Sequence, residues 1–402
     1  MLNTELLRES FRLLRKDAAS GVSGTTAKDY AKNLEANLED LHDRLRTLRY
    51  IAPPVKRVWI DKEKGKKRPL GIPEIEDKIV QKAVTTLLEP IYNIDFYKFS
   101  HGFIKGHSPH LAITEVREQL YAQHINWIID ADIEGFFNNI DHKLLIEFVS
   151  KRIKDKGIIR LIGKWLKAGI VENKQLSYPK KGTPQGGVAS PLLANIFLHY
   201  VLDKWFVEEI QPRLKGRCFI NRFADDFILG FELEEDARRV MAVLPKRFNR
   251  YGLNIHPEKS KLVNFSKPSY SKITTKGAGT FDYLGFTHYW AKSRNGYWVV
   301  KRKTSSKKLR LKIMDVWKWC KHNRHISVKE QQVMLNLKLS GHYQYYGIRN
   351  NYKMLEVYYE AVLKSWKRWL ERRSRSGYIT YEKFENFLGH YPLVKPHLVH
   401  AI

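Results

Sequence analysis

Two adjacent aspartates interrupt an otherwise apolar stretch, Cys218-Phe219-Ile220-Asn221-Arg222-Phe223-Ala224-Asp225-Asp226-Phe227-Ile228-Leu229-Gly230-Phe231, and they constrain what the chain can fold into. The flanks, rich in aromatic and branched residues, read as two short β-strands. Aspartate is poor in strands, and neighbouring carboxylates repel each other unless something cationic sits beside them. A tight turn between paired strands lifts both out of the sheet. A solvated hairpin turn is the plain reading of such a pair. Half of a divalent-metal site is the sharp one, and it needs a third carboxylate.

A third carboxylate stands about ninety residues upstream, in Trp127-Ile128-Ile129-Asp130-Ala131-Asp132-Ile133-Glu134-Gly135-Phe136-Phe137. Trp127 to Ile133 is another apolar run that reads as a strand. With a period of two, Asp130 and Asp132 share one face of it. Two strands that each bring carboxylates near one end can hold two hard cations about 3.5–4 Å apart, an arrangement suited to phosphoryl or nucleotidyl transfer. Ligation by carboxylates alone favours Mg²⁺ over zinc.

These residues resemble the reverse transcriptases, and the group II intron branch in particular. Phe223-Ala224-Asp225-Asp226 is similar to that family's Tyr/Phe-x-Asp-Asp box, and Asp132 with Phe137 five residues on is similar to its first catalytic motif. Between them, Gly182-Thr183-Pro184-Gln185-Gly186-Gly187-Val188-Ala189-Ser190-Pro191-Leu192-Leu193-Ala194-Asn195 resembles a further group II motif. Arg68-Pro69-Leu70-Gly71-Ile72-Pro73, followed by Asp77-Lys78-Ile79-Val80-Gln81, resembles the fingers region. Gly252 to Lys259 and Phe281 to Phe286 resemble later motifs, and Gly341 to Ile348, Trp366 to Ser374 and Phe384 to His400 the thumb/maturase domain. The three motifs from Asp132 to Asp226 follow family order and spacing.

The resemblance implies a mixed α/β (α+β) right-hand polymerase. A helical N-terminal extension (1–50) leads into fingers and palm (51–295), followed by a basic helical thumb/maturase domain (296–402). It implies catalysis by Asp132, Asp225 and Asp226, a metal set of Asp132, Ile133, Asp225 and Asp226, and two Mg²⁺ ions that Mn²⁺ can replace. Lys66, Arg68, Phe137, Gln185 and Lys259 would contact the nucleotide. Arg68 grips phosphate through its planar fork and Lys66 adds a point charge. Phe137 walls the sugar against a 2′-hydroxyl, Gln185 bonds the nucleotide or template, and Lys259 protonates the pyrophosphate. Lys78 is a further triphosphate candidate, although the family often has Arg there. The plain readings are core packing for Phe137 and solvated cations for the lysines. Asp141 reads as a helix N-cap and not as a catalytic group.

Composition agrees with a polyanionic partner. Lys and Arg number 71 against 42 Asp and Glu, a net charge of +29, while 43% hydrophobic content argues against global disorder. From Lys301 onward basic residues interleave with Trp317, Trp319, Trp366 and Trp369, with Trp298 just upstream, a mixture suited to phosphate and base contacts, although some of these rings must be core. The expected partners are an RNA template, a DNA or RNA primer, dNTPs and a cognate structured RNA, either an intron or a noncoding RNA. No apolar run approaches the roughly 18 residues that span a bilayer. Glu5 and Glu9 do not read as part of a signal peptide, and Cys218 and Cys320 read as buried thiols, so a bacterial cytoplasmic setting is expected. His101 and His107 lack a convincing ligand set for zinc, and their loop reads as structural. Two rivals to the intron maturase are a domesticated relative in antiphage defence or DNA repair, and an idle RNA-binding splicing chaperone. The intact Asp132, Asp225 and Asp226 argue against the second.

Overall fold

The computed structural model describes residues 2–61, 67–178, 181–183, 186–268, 279–374 and 377–402. They form two compact units, Met1–Leu262 and Val263–Ile402. Residues 62–66, with Lys66, and the Pro184-Gln185 dipeptide lie outside the described residues.

The first unit opens with three helices, α1 (Thr4–Leu13), α2 (Ala27–Ala31) and α3 (Leu34–Arg46). Thr26 closes a capping box with Asp29, satisfying two helix-end donors reciprocally. Leu38 and Leu41 of α3 are fully buried. A hairpin of β1 (Val55–Asp61) and β2 (Lys67–Ile72) follows, then the long helix α4 (Ile75–Asp95) and α5 (Pro109–Ala122), which Ser108 caps.

The central strand is β3 (Trp127–Glu134), followed by α6 (Phe136–Asn139), α7 (His142–Arg152) and α8 (Lys156–Leu166). Asp141 caps α7, accepting from the amides of Lys143 (2.8 Å) and Leu144 (3.0 Å), as its sequence position suggested. Strands β4 (Ile170–Glu172) and β5 (Gln175–Ser177) extend the first hairpin into a sheet of order β2-β1-β4-β5. Helix α9 spans Ser190–Leu198. It passes into π-helical turns at His199–Asp203 and Phe206–Ile210. Strands β6 (Cys218–Phe223) and β7 (Asp226–Phe231), helix α10 (Glu234–Asn249) and β8 (Asn254–Ile255) complete a sheet of order β6-β7-β3-β8, which β9 (Lys261–Asn264) also joins at β3.

This second sheet positions the acidic residues because one of its faces is apolar. Ile129, Ala131 and Ile133 of β3 are buried, while the alternate residues Asp130, Asp132 and Glu134 are not. Phe227, Leu229 and Phe231 of β7 are fully buried, and Phe227 stacks on Phe248 of α10 at 6.0 Å. Each such side chain contributes about 1.5–3 kcal/mol on burial. A one-residue slip would turn the whole set outward, so the hydrophobic pattern fixes the register of the carboxylates as well.

The second unit carries an antiparallel sheet, β10 (Phe281–Tyr283), β11 (Phe286–Lys292) and β12 (Trp298–Thr304). Four helices follow: α11 (Ser306–His322), α12 (Val328–Tyr346), α13 (Tyr352–Leu370) and α14 (Tyr381–His390). Trp298, Trp366 and Trp369 are core, whereas Trp317 is exposed and Trp319 half-buried. The indole of Trp366 donates to Gln331 Oε1 at 2.8 Å. Asn351 joins the sheet to the helices: its side chain accepts from Thr304 N and donates to Thr304 Oγ1, both at 2.8 Å. The sheet of 281–304 therefore belongs with the helices, and the compact units divide upstream of residue 295. Cys218 and Cys320 are free, buried thiols whose pKa values burial raises to about 11 and about 12. Among the described residues no helix is long and apolar enough to cross a membrane.

Candidate active site

Strands β6 and β7 meet in a two-residue turn, with Phe223 paired to Asp226 and Ala224-Asp225 at the corner. On the other side of β7, Asp226 lies directly opposite Asp132 of β3. Residues directly opposite across an antiparallel pair share a face, with Cβ atoms about 4.5–5.5 Å apart. Three carboxylates separated by up to ninety-odd positions thus gather at one end of one sheet. Asp130, two residues back on β3, faces Ile228 in the register and is further into the sheet.

The turn is held from beneath. Ala224 adopts φ +57°, a left-handed conformation that costs an L-residue roughly 1–2 kcal/mol. Its carbonyl accepts from Arg222 Nη1 at 2.9 Å. Arg222 is fully buried in the middle of the apolar strand, and its other donors reach Asp203 Oδ1 (2.8 Å), Asp203 Oδ2 (2.5 Å), Asn195 Oδ1 (3.0 Å) and Ser100 Oγ (2.7 Å). Asn195 in turn donates to Gly102 O at 2.6 Å. A Cβ on Gly102 would lie 2.2 Å from Ala224 N, so only glycine lets that loop reach the turn. Nearby, His101 Nε2 pairs with Glu115 at 2.9 Å, and its Nδ1 meets Nδ1 of His107 at 3.1 Å, which accords with a structural loop.

The segment after α10 wraps the end of β3. His256 N donates to Asp132 O at 2.8 Å, and Asp132 N donates to Ser260 Oγ at 3.3 Å. Lys259 Nζ then sits 2.5 Å from Asp132 Oδ2, with side-chain exposures of 59% and 47%. Phe137 is 8% exposed, with its ring edge-on to Phe136 at 5.2 Å, so most of it is core. Its carbonyl accepts from Thr183 N at 2.8 Å, which lays the Gly182 loop along α6. A Cβ on Gly186 would lie 2.8 Å from Gly71 O, so the far end of that loop touches the strand carrying Arg68. Lys78 instead donates to Ala19 O at 2.6 Å. Between these pieces opens a cleft of about 480 Å³, whose lining includes Arg57, Trp59, Lys67, Asn138, Lys181 and Thr183.

Residues 60–288 match the family described as reverse transcriptase (RNA-dependent DNA polymerase), over more than half of the chain. The chain belongs to the reverse transcriptase family. It is 41% identical over 192 residues to the group II intron-encoded protein LtrA of Lactococcus lactis subsp. cremoris, a match covering 48% of this chain and 31% of that one. Protein YkfC of Escherichia coli K12 is 39% identical over 237 residues, covering 52% and 62%. The putative COX1/OXI3 intron 1 protein of Saccharomyces cerevisiae is 34% identical over 218 residues, covering 54% and 26%. The chain therefore spans less than two thirds of each of these relatives.

Reverse transcriptases generally use divalent metal ions, and the donors here suit a hard one. Asp132 already holds a cation, the Lys259 ammonium. Ile133 can offer only its main-chain carbonyl, since its side chain is a hydrocarbon with no lone pair. Among the described residues no three His, Cys, Asp or Glu side chains converge as a ready metal cage.

Arg222, Asp203 and Asn195 are supporting residues that the sequence reading passed over, as are Arg57 and Lys181 in the cleft. A signal for the first pair was present. A lone arginine inside an apolar strand and a lone aspartate inside an apolar helix each require a buried partner of opposite sign.

Proposed function

We propose that this chain is an RNA-directed DNA polymerase of the group II intron type that also binds a structured RNA. The observation that carries the reading is the opposition of Asp132 and Asp226 beside Asp225 at the end of the β6-β7-β3 sheet. In the reaction a primer 3′-oxygen bonds to the α-phosphorus of a dNTP as the bond to the pyrophosphate oxygen breaks. Asp132, Asp225 and Asp226, with the Ile133 carbonyl, would hold two Mg²⁺ ions, which when bound supply positive charge to the attacking and leaving oxygens. Arg68 and Lys66 bind the triphosphate. Gln185 and Phe137 shape the nucleotide pocket, and the cationic cleft of Arg57, Lys67 and Lys181 follows the nucleic-acid backbone. Lys259 exchanges its ion pair with Asp132 for the departing pyrophosphate, to which it gives a proton. In this reading residues 1–50 are an extension, fingers and palm follow in the first unit, and the second unit, with its 281–304 sheet, is the thumb/maturase domain that grips the RNA.

The test is Asp225→Ala with Asp226→Ala. Mg²⁺-dependent dNTP incorporation on an RNA template should vanish while RNA affinity stays within about twofold, and incorporation at the wild-type rate would sink the proposal. Shrinking Phe137 to Val should raise ribonucleotide use relative to deoxynucleotide, read as the ratio of the two kcat/KM values. An unmoved ratio would make Phe137 core packing only.

A further inference from the structure

The second unit holds a cleft of about 360 Å³ between α11 and α12, floored by α13. Lys312 and Asp315 of α11, Lys338, Gly341 and His342 of α12 and Tyr358 of α13 contribute to its lining. Its size is that of a small-molecule pocket.

Three features exceed what packing needs. His342 is 5% exposed, yet neither ring nitrogen has a hydrogen-bond partner, and native structures rarely leave such groups unmet. Its ring lies 3.9 Å from that of Tyr358 and 4.7 Å from that of Tyr346. Burial, reinforced by the Lys312 charge, lowers its pKa to about 4, so at neutral pH it offers one N–H donor and one acceptor. Gly341 sits inside a 19-residue helix, and a Cβ there would meet nothing within 4 Å. The absent side chain leaves the cleft open. Lys312 and Lys338 stand on its two walls, and the exposed Leu337 adds apolar surface.

Aromatic and apolar walls, an unmet donor–acceptor ring and cations on either side suit one kind of ligand: a flat heterocycle attached to phosphates. We propose that the cleft between α11 and α12 receives a single unpaired nucleobase of a structured RNA, with the base edge on His342 and the flanking phosphates on Lys312 and Lys338. This rests on the RNA-binding reading above and adds to it a site for one extruded base. Base extrusion onto aromatic side chains is the usual way in which proteins read structured RNA. Charge also favours RNA over a docked protein helix: residues 263–402 carry 27 Lys and Arg against 8 Asp and Glu.

The test uses the full chain and two hairpin RNAs at one salt concentration, one fully paired and one with a single bulged adenosine. Gly341→Leu fills the cleft from a position with free space, and His342→Phe keeps the ring stack while removing both nitrogens. The wild type should bind the bulged hairpin about tenfold more tightly, a difference within reach of one stacked base. Both variants should bind the two RNAs alike, hold the wild-type melting temperature, and extend a primer on an unstructured template at the wild-type rate. A preference that survives both variants overturns the inference, as does a wild type that extends primers but shows no preference. A wild type that binds neither RNA removes the RNA-binding reading with it. Loss of self-association in Gly341→Leu with RNA binding unchanged would assign the cleft to a second copy of the chain and overturn the proposal.

Discussion

The two units handle charge in opposite ways. Residues 1–262 carry 44 Lys and Arg against 34 Asp and Glu, and many of these meet each other: Arg44 with Glu76, Arg152 with Asp95, Arg217 with Glu232, Arg222 with Asp203. In residues 263–402 the 8 carboxylates cannot pair with 27 cations whatever the fold. Folding alone gives no reason for that surplus, since like charges destabilise a compact state. The first unit spends its ions on geometry, and the second presents them to a partner.

The sharpest way to break this contrast is at Arg222. Arg222→Met leaves Asp203 buried without its partner and should cost about 3–5 kcal/mol, while adding Asp203→Leu should restore most of the loss. The double variant should nevertheless polymerise about a hundredfold more slowly, because misplacing a catalytic group by an ångström suffices for that. Melting temperature and primer extension measured together decide it. A double variant that is both stable and fully active would show that the pair only packs.

A smaller effect is expected from surface lysines. Lys318→Gln with Lys321→Gln should weaken RNA binding across sequences and flatten the log–log salt dependence by about 1 per lysine. Lys32→Gln, which removes a cation paired with Asp29, should leave that slope unchanged. Equal changes in slope from the two units would end the distinction.

Acid should also separate the units, more gently. Burial, with Arg302 nearby, lowers the pKa of His288 to about 3, and burial with Lys312 lowers that of His342 to about 4, from an ordinary 6.5. Below pH 6.5 the unfolded chain protonates these rings and the folded chain does not, so stability falls as pH falls. From pH 6.5 to 5 the loss is about 2 kcal/mol for each ring. In the first unit burial lowers the pKa of His199 as well, whereas Asp77 has the opposite sign. Burial raises its pKa from 3.8 to about 6, against the hydrogen bonds from Tyr50 and Gln81, so its contribution falls as pH rises through that window. Hydrogen exchange resolved by unit at pH 6.5 and 5 should show protection lost mainly in 263–402. Uniform loss would contradict these assignments.

Local patterns made much of this legible in the sequence. The alternation around Asp130 and Asp132, the apolar arms of the Ala224-Asp225 turn and the Asp141 cap each depend on residues a few positions apart. Contacts across the fold were not legible. That Lys259 would lie against Asp132, or that Gly102 would press on Ala224, depends on how separate elements approach, and no period or cap encodes it. The same applies to the border between units, because the strands at 281–304 look alike in sequence whichever neighbour they join. Of the site residues expected, Lys66 and Gln185 lie outside the described residues, and Phe137 is largely buried.

The π-helical turn at His199–Asp203 makes a residue count matter as much as a residue type. Each step along an α-helix swings the side chain by about 100°. Deleting one residue from this turn would keep composition, charge and apolar content almost unchanged, yet point position 203 away from Arg222. The acidic turn would lose its anchor with every motif still in place. Homologues shorter by one residue here should therefore be examined for inactivity even when their Asp-Asp pair is intact.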